Sequence, residues 1–179
     1  DFTTGYCLKP VTADEFEGCD KSAVVCASDN RSNTSILLNT TTTGATTPTF
    51  APKVDFTTGS YPDSVSIGDF NGDGKPDLAM ANYHHSSNTT SILLNTTTTG
   101  ATTPTFAPKV DFATGINPKS VSIGDINGDG KPDLAVANYR SGNTSIFLNT
   151  TTTGAITPTF APKVDFTTGN GPRSVSIGD

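Results

Sequence analysis

The chain has 179 residues, 33% of them hydrophobic, with no Trp, 17 Gly and 12 Pro, and a formal net charge of −6 with a pI near 4.7. An acidic chain without basic clusters repels phosphate backbones, which argues against nucleic acid as a partner, and no apolar run approaches the ~18 residues that a membrane-spanning helix needs. No 3.6-residue apolar period is sustained anywhere, and the 32 Thr favour strands, so the composition predicts an all-β chain with almost no helix.

In chain order, the first element is an altered copy of the repeats that lie C-terminal to it. Asp1 to Thr40 aligns without gaps on Asp111 to Thr150, keeping Phe2, Gly5, Gly18, Lys21, Ala27, Asn33 and Thr34. It holds all three cysteines, Cys7, Cys19 and Cys26. They allow one disulfide with one thiol left over, and spacing does not choose the pair. Without a CxxC pair or a nearby His they do not read as a zinc site. No signal-peptide pattern is read in the sequence.

Two fuller copies come next. SVSIGD begins at Ser64, Ser120 and Ser174, and PTFAPKVDF begins at Pro48, Pro104 and Pro158. In the second copy four runs read as strands: SVSIGDF from Ser64, DLAMANY from Asp77, TSILLNT from Thr90 and PTFAPKVDF from Pro104. Gly, Pro and Asn breaks between such runs signal consecutive antiparallel strands. LAMA and ILL are apolar at both alternations, so these strands should be buried on both faces, as in a sheet sandwiched between sheets. Four strands in ~55 residues, repeated, is the arithmetic of a β-propeller blade. The copies differ in length only where NYHHSSNTTSILLN (Asn82 to Asn95) stands against NYRSGNTSIFLN (Asn138 to Asn149), which marks a loop.

The predicted organisation is a degenerate repeat at 1–54, repeats at 55–110 and 111–164, and the start of a fourth at 165–179. Three four-stranded meanders and one extra strand make an incomplete or open propeller, since closure takes ~4–8 blades. Such an array is either a piece of a longer one, or copies of it meet end to end.

Between the first two strands of each full repeat lies an acid-rich loop, DFNGDGKPD at Asp69–Asp77 and DINGDGKPD at Asp125–Asp133. The spacing places side-chain oxygens at positions 1, 3, 5 and 9, a backbone carbonyl at position 7 and Gly at position 6, where a left-handed backbone wraps a tight loop. Crowded carboxylates repel one another unless a hard dication with six to eight oxygen ligands joins them. Asp69, Asn71, Asp73, Lys75 (carbonyl) and Asp77 are therefore assigned to one calcium site. Asp125, Asn127, Asp129, Lys131 (carbonyl) and Asp133 form a second. An EF-hand is excluded, because its Glu at position 12 is here Met80 or Val136. A solvated acidic turn is the plainer alternative; two near-identical copies between the same two strands weigh against it. In the first repeat Glu15, Glu17, Cys19 and Ala23 occupy the ligand positions, with Asp20 at the loop Gly, so no calcium is expected there.

GDFNGDGKPDLAMANY and GDINGDGKPDLAVANY, with the periodic FAPKVDFTTG, resemble FG-GAP/VCBS-type repeats, the calcium-loop blades of integrin α-subunit propellers and many bacterial surface proteins. The resemblance covers essentially the whole chain. It implies a propeller blade with calcium in the hairpin between first and second strands, and an extracellular or cell-surface role in adhesion or in binding a protein or glycan. It names no ligand.

The remaining signals are weaker. His84 and His85 are adjacent in the variable loop and should point apart, which disfavours chelation. Tyr83 and Tyr139 suit strand-end packing better than a sugar-binding face. Sequons stand at Asn30, Asn33, Asn39, Asn88, Asn95, Asn143 and Asn149, and most follow from Thr abundance. Thr-rich tracts such as NTTTTGATTPT read as exposed hairpins or as carriers of O-linked sugars. With Asp55, Asp111 and Asp165 placed in repeated Asp-Phe turns, no carboxylate pair remains for acid/base work and no supported nucleophile is found, so the chain reads as a non-enzyme. Its unfinished ends also fit a structural subunit that joins copies of itself head to tail into a filament or ring.

Overall fold

Short alternating runs broken by Gly, Pro and Asn fold here as strands, with no helix among the described residues. A computed structural model describes residues 11–14, 22–28 and 32–178. The strands form three four-stranded antiparallel sheets, each a meander in sequence order and none closed into a barrel. The first sheet contains β1 (Val11–Asp14), β2 (Ala23–Ser28), β3 (Asn33–Leu37) and β4 (Val54–Thr57). The second contains β5 (Pro62–Gly68), β6 (Asp77–Asn82), β7 (Thr89–Leu93) and β8 (Val110–Ala113). The third contains β9 (Pro118–Gly124), β10 (Asp133–Asn138), β11 (Asn143–Phe147) and β12 (Val164–Thr167).

The doubly apolar strands are sandwiched as the sequence implies. Successive residues of β6 point to opposite faces. Leu78 and Met80 enter a core shared with Ala23, Val25, Ile36 and Leu38 of the first blade. Ala79 and Ala81 enter a second core with Val121, Leu134, Val136 and Phe147 of the third. Burying a Leu or Met side chain in such a core stabilises by roughly 1.5–3 kcal/mol. Phe56 and Phe112 of the outer strands pack on these cores, and Phe112 meets Phe160 edge to face at 4.9 Å.

The serines of SVSIGD tie the first strands of successive blades together. Ser66 Oγ donates to Val121 O at 3.0 Å, and Ser64 Oγ accepts from Val121 N at 3.3 Å. Ser120 and Ser122 accept from Val175 N and Ile177 N in the same way. Residues 174–178 therefore run beside β9, but they form no ladder, having no hairpin partner among the described residues.

Two local expectations need correction. The PTFAPKVDF run is not one strand. Phe106 forms an isolated bridge with Asn95, and the ladder resumes only at Val110, which faces Ile92. Asn95 thus faces Phe106 where unbroken register would bring Ala107, a one-residue bulge around Pro108, which has no N–H to give to a ladder. Asp55, Asp111 and Asp165 lie in the outer strands and not in turns. Each accepts from a serine one strand away (Ser35, Ser91 and Ser145, at 2.7, 2.6 and 2.6 Å) and pairs with Lys53, Lys109 or Lys163.

The Gly that comes after β4 and after β8, Gly59 and Gly115, packs closely on the next blade. A Cβ on Gly115 would stand 2.8 Å from the side chain of Asn138, whereas one on Gly169 would meet nothing within 4 Å. Gly115→Ala is expected to lower stability by about 1–3 kcal/mol, as overpacking does, and Gly169→Ala to stay within about 0.5 kcal/mol of the parent. Urea midpoints of the two variants check this; equal midpoints would refute the close approach.

Candidate functional site

Each acid loop hangs from a buried carboxylate. Asp77 opens β6 opposite Gly68 and is fully buried. Its Oδ2 accepts from Phe70 N at 2.8 Å and its Oδ1 from Asn95 N at 2.7 Å. Asp133 repeats this with Ile126 N at 2.9 Å and Asn149 N at 2.7 Å. The ninth position therefore ties the start of its loop to the end of the blade's third strand.

The first, third and fifth positions wrap the rest of the loop. Asp69 accepts from Asp73 N at 3.1 Å and Gly74 N at 2.8 Å. Asn71 Oδ1 accepts from the same Asp73 N at 3.2 Å, and Asp73 Oδ1 accepts from Lys75 N at 3.0 Å. In the second loop Asp125 Oδ1 and Asn127 Oδ1 both stand 3.1 Å from Asp129 N. Asp125 Oδ2 accepts from Gly130 N, and Asp129 Oδ1 from Lys131 N. Gly74 and Gly130 at position 6 have φ of +82° and +81°, as the wrap requires, and Gly72 and Gly128 at position 4 are also left-handed.

In both loops, oxygens from positions 1 and 3 converge on one point now held by an N–H. The donor set is oxygen only, which suits a hard dication. Among the described residues no three His, Cys, Asp or Glu side chains are drawn together closely enough to hold a metal. The loop oxygens are turned to backbone amides instead. In the first repeat Glu15, Glu17, Cys19 and Asp20 lie outside the described residues. Ala23, at the ninth position, is a fully buried apolar residue that opens β2. Cys26 is buried and disulfide-bonded; Cys7 and Cys19 lie outside the described residues.

The sequence reading missed what lies next to these loops. The Thr-rich turn of the third blade docks on the acid loop of the second. Asn71 Nδ2 donates to Ala155 O at 3.0 Å, Gly154 N to Asn71 O at 2.7 Å, and Asn149 Nδ2 to Phe70 O at 3.0 Å. Phe160 of the third blade meets Phe70 edge to face at 5.9 Å. Asn95, Asn149, Thr97 and Thr151, which the sequence offers only as parts of sequons and Thr tracts, are buried. Thr97 and Thr151 each close their turn by accepting from the backbone N of Thr105 or Thr159 and donating to its carbonyl. The signal in the sequence was Leu-Asn-Thr-Thr at one place in every repeat (Asn39, Asn95 and Asn149). Between the two loops opens a cleft of about 480 Å³, lined by Asp69, Asn71, Asp125, Lys131, Thr151 and Thr153 among others. Lys131 Nζ donates to Thr151 O at its wall.

At the opposite edge Tyr83 lies under Lys119 Nζ at 4.2 Å, and Tyr139 under the guanidinium of Arg173 at 5.0 Å. Lys119 also pairs with the buried Asp63 at 2.8 Å. His84 and His85 do not point apart. The chain turns at His85, their ring centroids lie 4.1 Å apart, and His84 stacks on Tyr61 at 4.9 Å.

Burial pushes the Asp77 carboxyl up to about 7; the N–H groups of Asn95 and Phe70 offset part of this, and Asp73 and Asp69 add to it. With the folded value above the unfolded one of about 3.9, the stability held by protonated Asp77 is full below about pH 4 and is lost as pH rises through about 7. In chelator, the urea midpoint is expected to fall between about pH 5 and about pH 7.5, and Asp77→Asn to flatten that slope. A midpoint that rises across this window would contradict the assignment.

The family model described as an FG-GAP-like repeat matches residues 21–80 and 69–136, and the one described as an FG-GAP repeat matches residues 117–157. No curated protein matches the chain. Together the matched segments run over residues 21–157, with both acid loops and every strand except β1 and β12, so the chain belongs to the FG-GAP repeat family.

Proposed function

We propose that the chain is an extracellular calcium-binding module for adhesion or for binding a protein or glycan, in which the ion is structural. The observation that carries this reading is the convergence of Asp69 Oδ1 with Asn71 Oδ1, and of Asp125 Oδ1 with Asn127 Oδ1, on a single donor in each loop. Asp69, Asn71, Asp73 and Asp77, with the Lys75 carbonyl, would hold one ion; Asp125, Asn127, Asp129 and Asp133, with the Lys131 carbonyl, would hold the other. The ion supplies positive charge against three crowded carboxylates. The chain supplies left-handed turns at Gly72 and Gly74 that keep the oxygens on the inside of the loop. Membership of a family of structural and binding modules, typical of extracellular or surface proteins, supports the setting.

Extracellular sites of this kind bind calcium at about 10⁻⁴–10⁻³ M. About 10 mM calcium is then expected to add about 1.4–2.7 kcal/mol per site over chelator and to raise the melting midpoint by several degrees. Asp69→Ala and Asp125→Ala should each remove part of the gain. A midpoint unchanged between calcium and EDTA rejects the structural role. Glycan-array binding with and without calcium tests the ligand class.

One observation favours a second reading, in which the third blade's outer face joins a further copy of the chain. Phe166 is 56% exposed and Ile126 42% exposed, although Phe112 and Phe70 at the same repeat positions are packed into a core. Light scattering checks this: Phe166→Asp should reduce the apparent mass, and a monodisperse monomer before mutation excludes the idea.

A further inference from the structure

We propose that cation binding in the Asp69–Asp77 loop and docking of the third blade stabilise each other, with the Asn71 carboxamide transmitting the coupling. This inference rests on the calcium reading of the loop. Asn71 is buried at the blade interface, and its two ends do different work. Nδ2 donates to Ala155 O across the interface at 3.0 Å. A carbonyl only accepts, so this contact fixes which way the amide lies. Oδ1 must then face the loop, where it takes the Asp73 N–H at 3.2 Å beside Asp69 Oδ1. A cation at Oδ1 would draw electron density from the amide and strengthen Nδ2–H as a donor. Conversely, Ala155 holds the side chain in place before the cation arrives, which removes an ordering cost from binding. The backbone takes the same path, since Gly154 N donates to Asn71 O at 2.7 Å.

The other loop shows the arrangement without a docked turn. Asn127 is exposed, and its Nδ2 falls back on Asp129 Oδ2 at 3.2 Å, an oxygen of the proposed donor set. The glycines of both loops have similar left-handed φ, +64° and +82° against +75° and +81°. The loops thus share backbone shape and sequence pattern, and they differ in what the Asn amide reaches. This also gives a reason for Asn at position 3. Aspartate would add charge for a cation, but it would set a carboxylate oxygen against Ala155 O.

Coupling of this type is reciprocal, so it is read from both sides on the full chain. Calcium titration by calorimetry and amide hydrogen exchange are compared for the parent, Asn71→Asp, Asn127→Asp, Asp69→Ala and Asp125→Ala. Calcium is expected to slow exchange at Gly154 by at least ~5-fold, although Gly154 belongs to the third blade and to neither loop. The site removed by Asp69→Ala should be the tighter of the two. Asn71→Asp should weaken that site at least ~5-fold and abolish the protection at Gly154, while Asn127→Asp should not weaken its own. If Asn71→Asp binds calcium as tightly as the parent or more so, with Gly154 still protected, Asn71 is an oxygen ligand alone and the coupling is wrong. If calcium binding survives both Asp→Ala changes, the loop assignment itself fails, and the coupling with it. Should Asn71→Asp not fold, the response of Gly154 in the parent decides: unchanged exchange on adding calcium overturns the proposal.

Discussion

The buried carboxylate at the ninth loop position is the constraint on which the two full blades depend. Asp77 and Asp133 are inaccessible to water, and each spends both oxygens on backbone N–H groups from different parts of its blade. A carboxyl group so placed is tolerated only where its hydrogen bonds are made. One bond holds the loop against the strand it leaves. The other holds Asn95 or Asn149 at the end of the third strand. Asn149 in turn reaches the preceding blade through its side chain. A single buried side chain thus links hairpin closure, strand register and blade-to-blade docking.

That linkage matters because a blade of this size has little to hold it together alone. A four-stranded sheet with apolar residues on both faces is stable only between neighbours, so stability resides in the interfaces. The apolar cores are non-directional, and they would permit sliding of one sheet over another. The polar ties prevent it: Ser64 and Ser66 at the inner strands, Asn71 and Asn149 at the loop edge, Lys119 on Tyr83 at the opposite edge. The first blade does without the carboxylate. Ala23 fills the place of Asp77, and Cys26 of the same strand is disulfide-bonded, so a covalent link is present in the blade that lacks the polar one.

What the sequence made legible was whatever is local or repeated. The repeat itself, the period-2 runs and the doubly apolar β6 and β7 were readable, because strand periodicity is a property of neighbouring residues. The acid loop was readable because its turn is closed by residues within nine positions of each other. The contacts of Asn149 with Phe70 and of Asn71 with Ala155 span 79 and 84 residues, and no local pattern announces them. Asn95 and Asn149 were visible as Asn-Thr-Thr, and a local reading of those letters gives a sequon where the fold needs a buried amide. The broken outer strand was a different kind of miss. Pro108 stood in plain view, and its missing N–H should have split the run.

With both edges of the interface between the second and third blades clasped, the repeats leave few places where these blades can differ. Tyr83 and Tyr139 are covered by cations, so their faces are committed to assembly and are not open platforms. The Thr turn of the third blade is committed to the acid loop beneath it. The residues that differ most between the second and third blades lie after β6, where His84 and His85 stand against Arg140 in the matching loop. There the chain departs from strand geometry, and Tyr61, His84 and His85 form a partly exposed stack of rings that no core requires. Loops on a rigid scaffold are where binding residues accumulate. In an array whose interfaces are fixed by repetition, individuality is confined to such insertions, and this one is held in a defined shape by its own stacking and by the His84–Ser86 and Asn88–His85 hydrogen bonds.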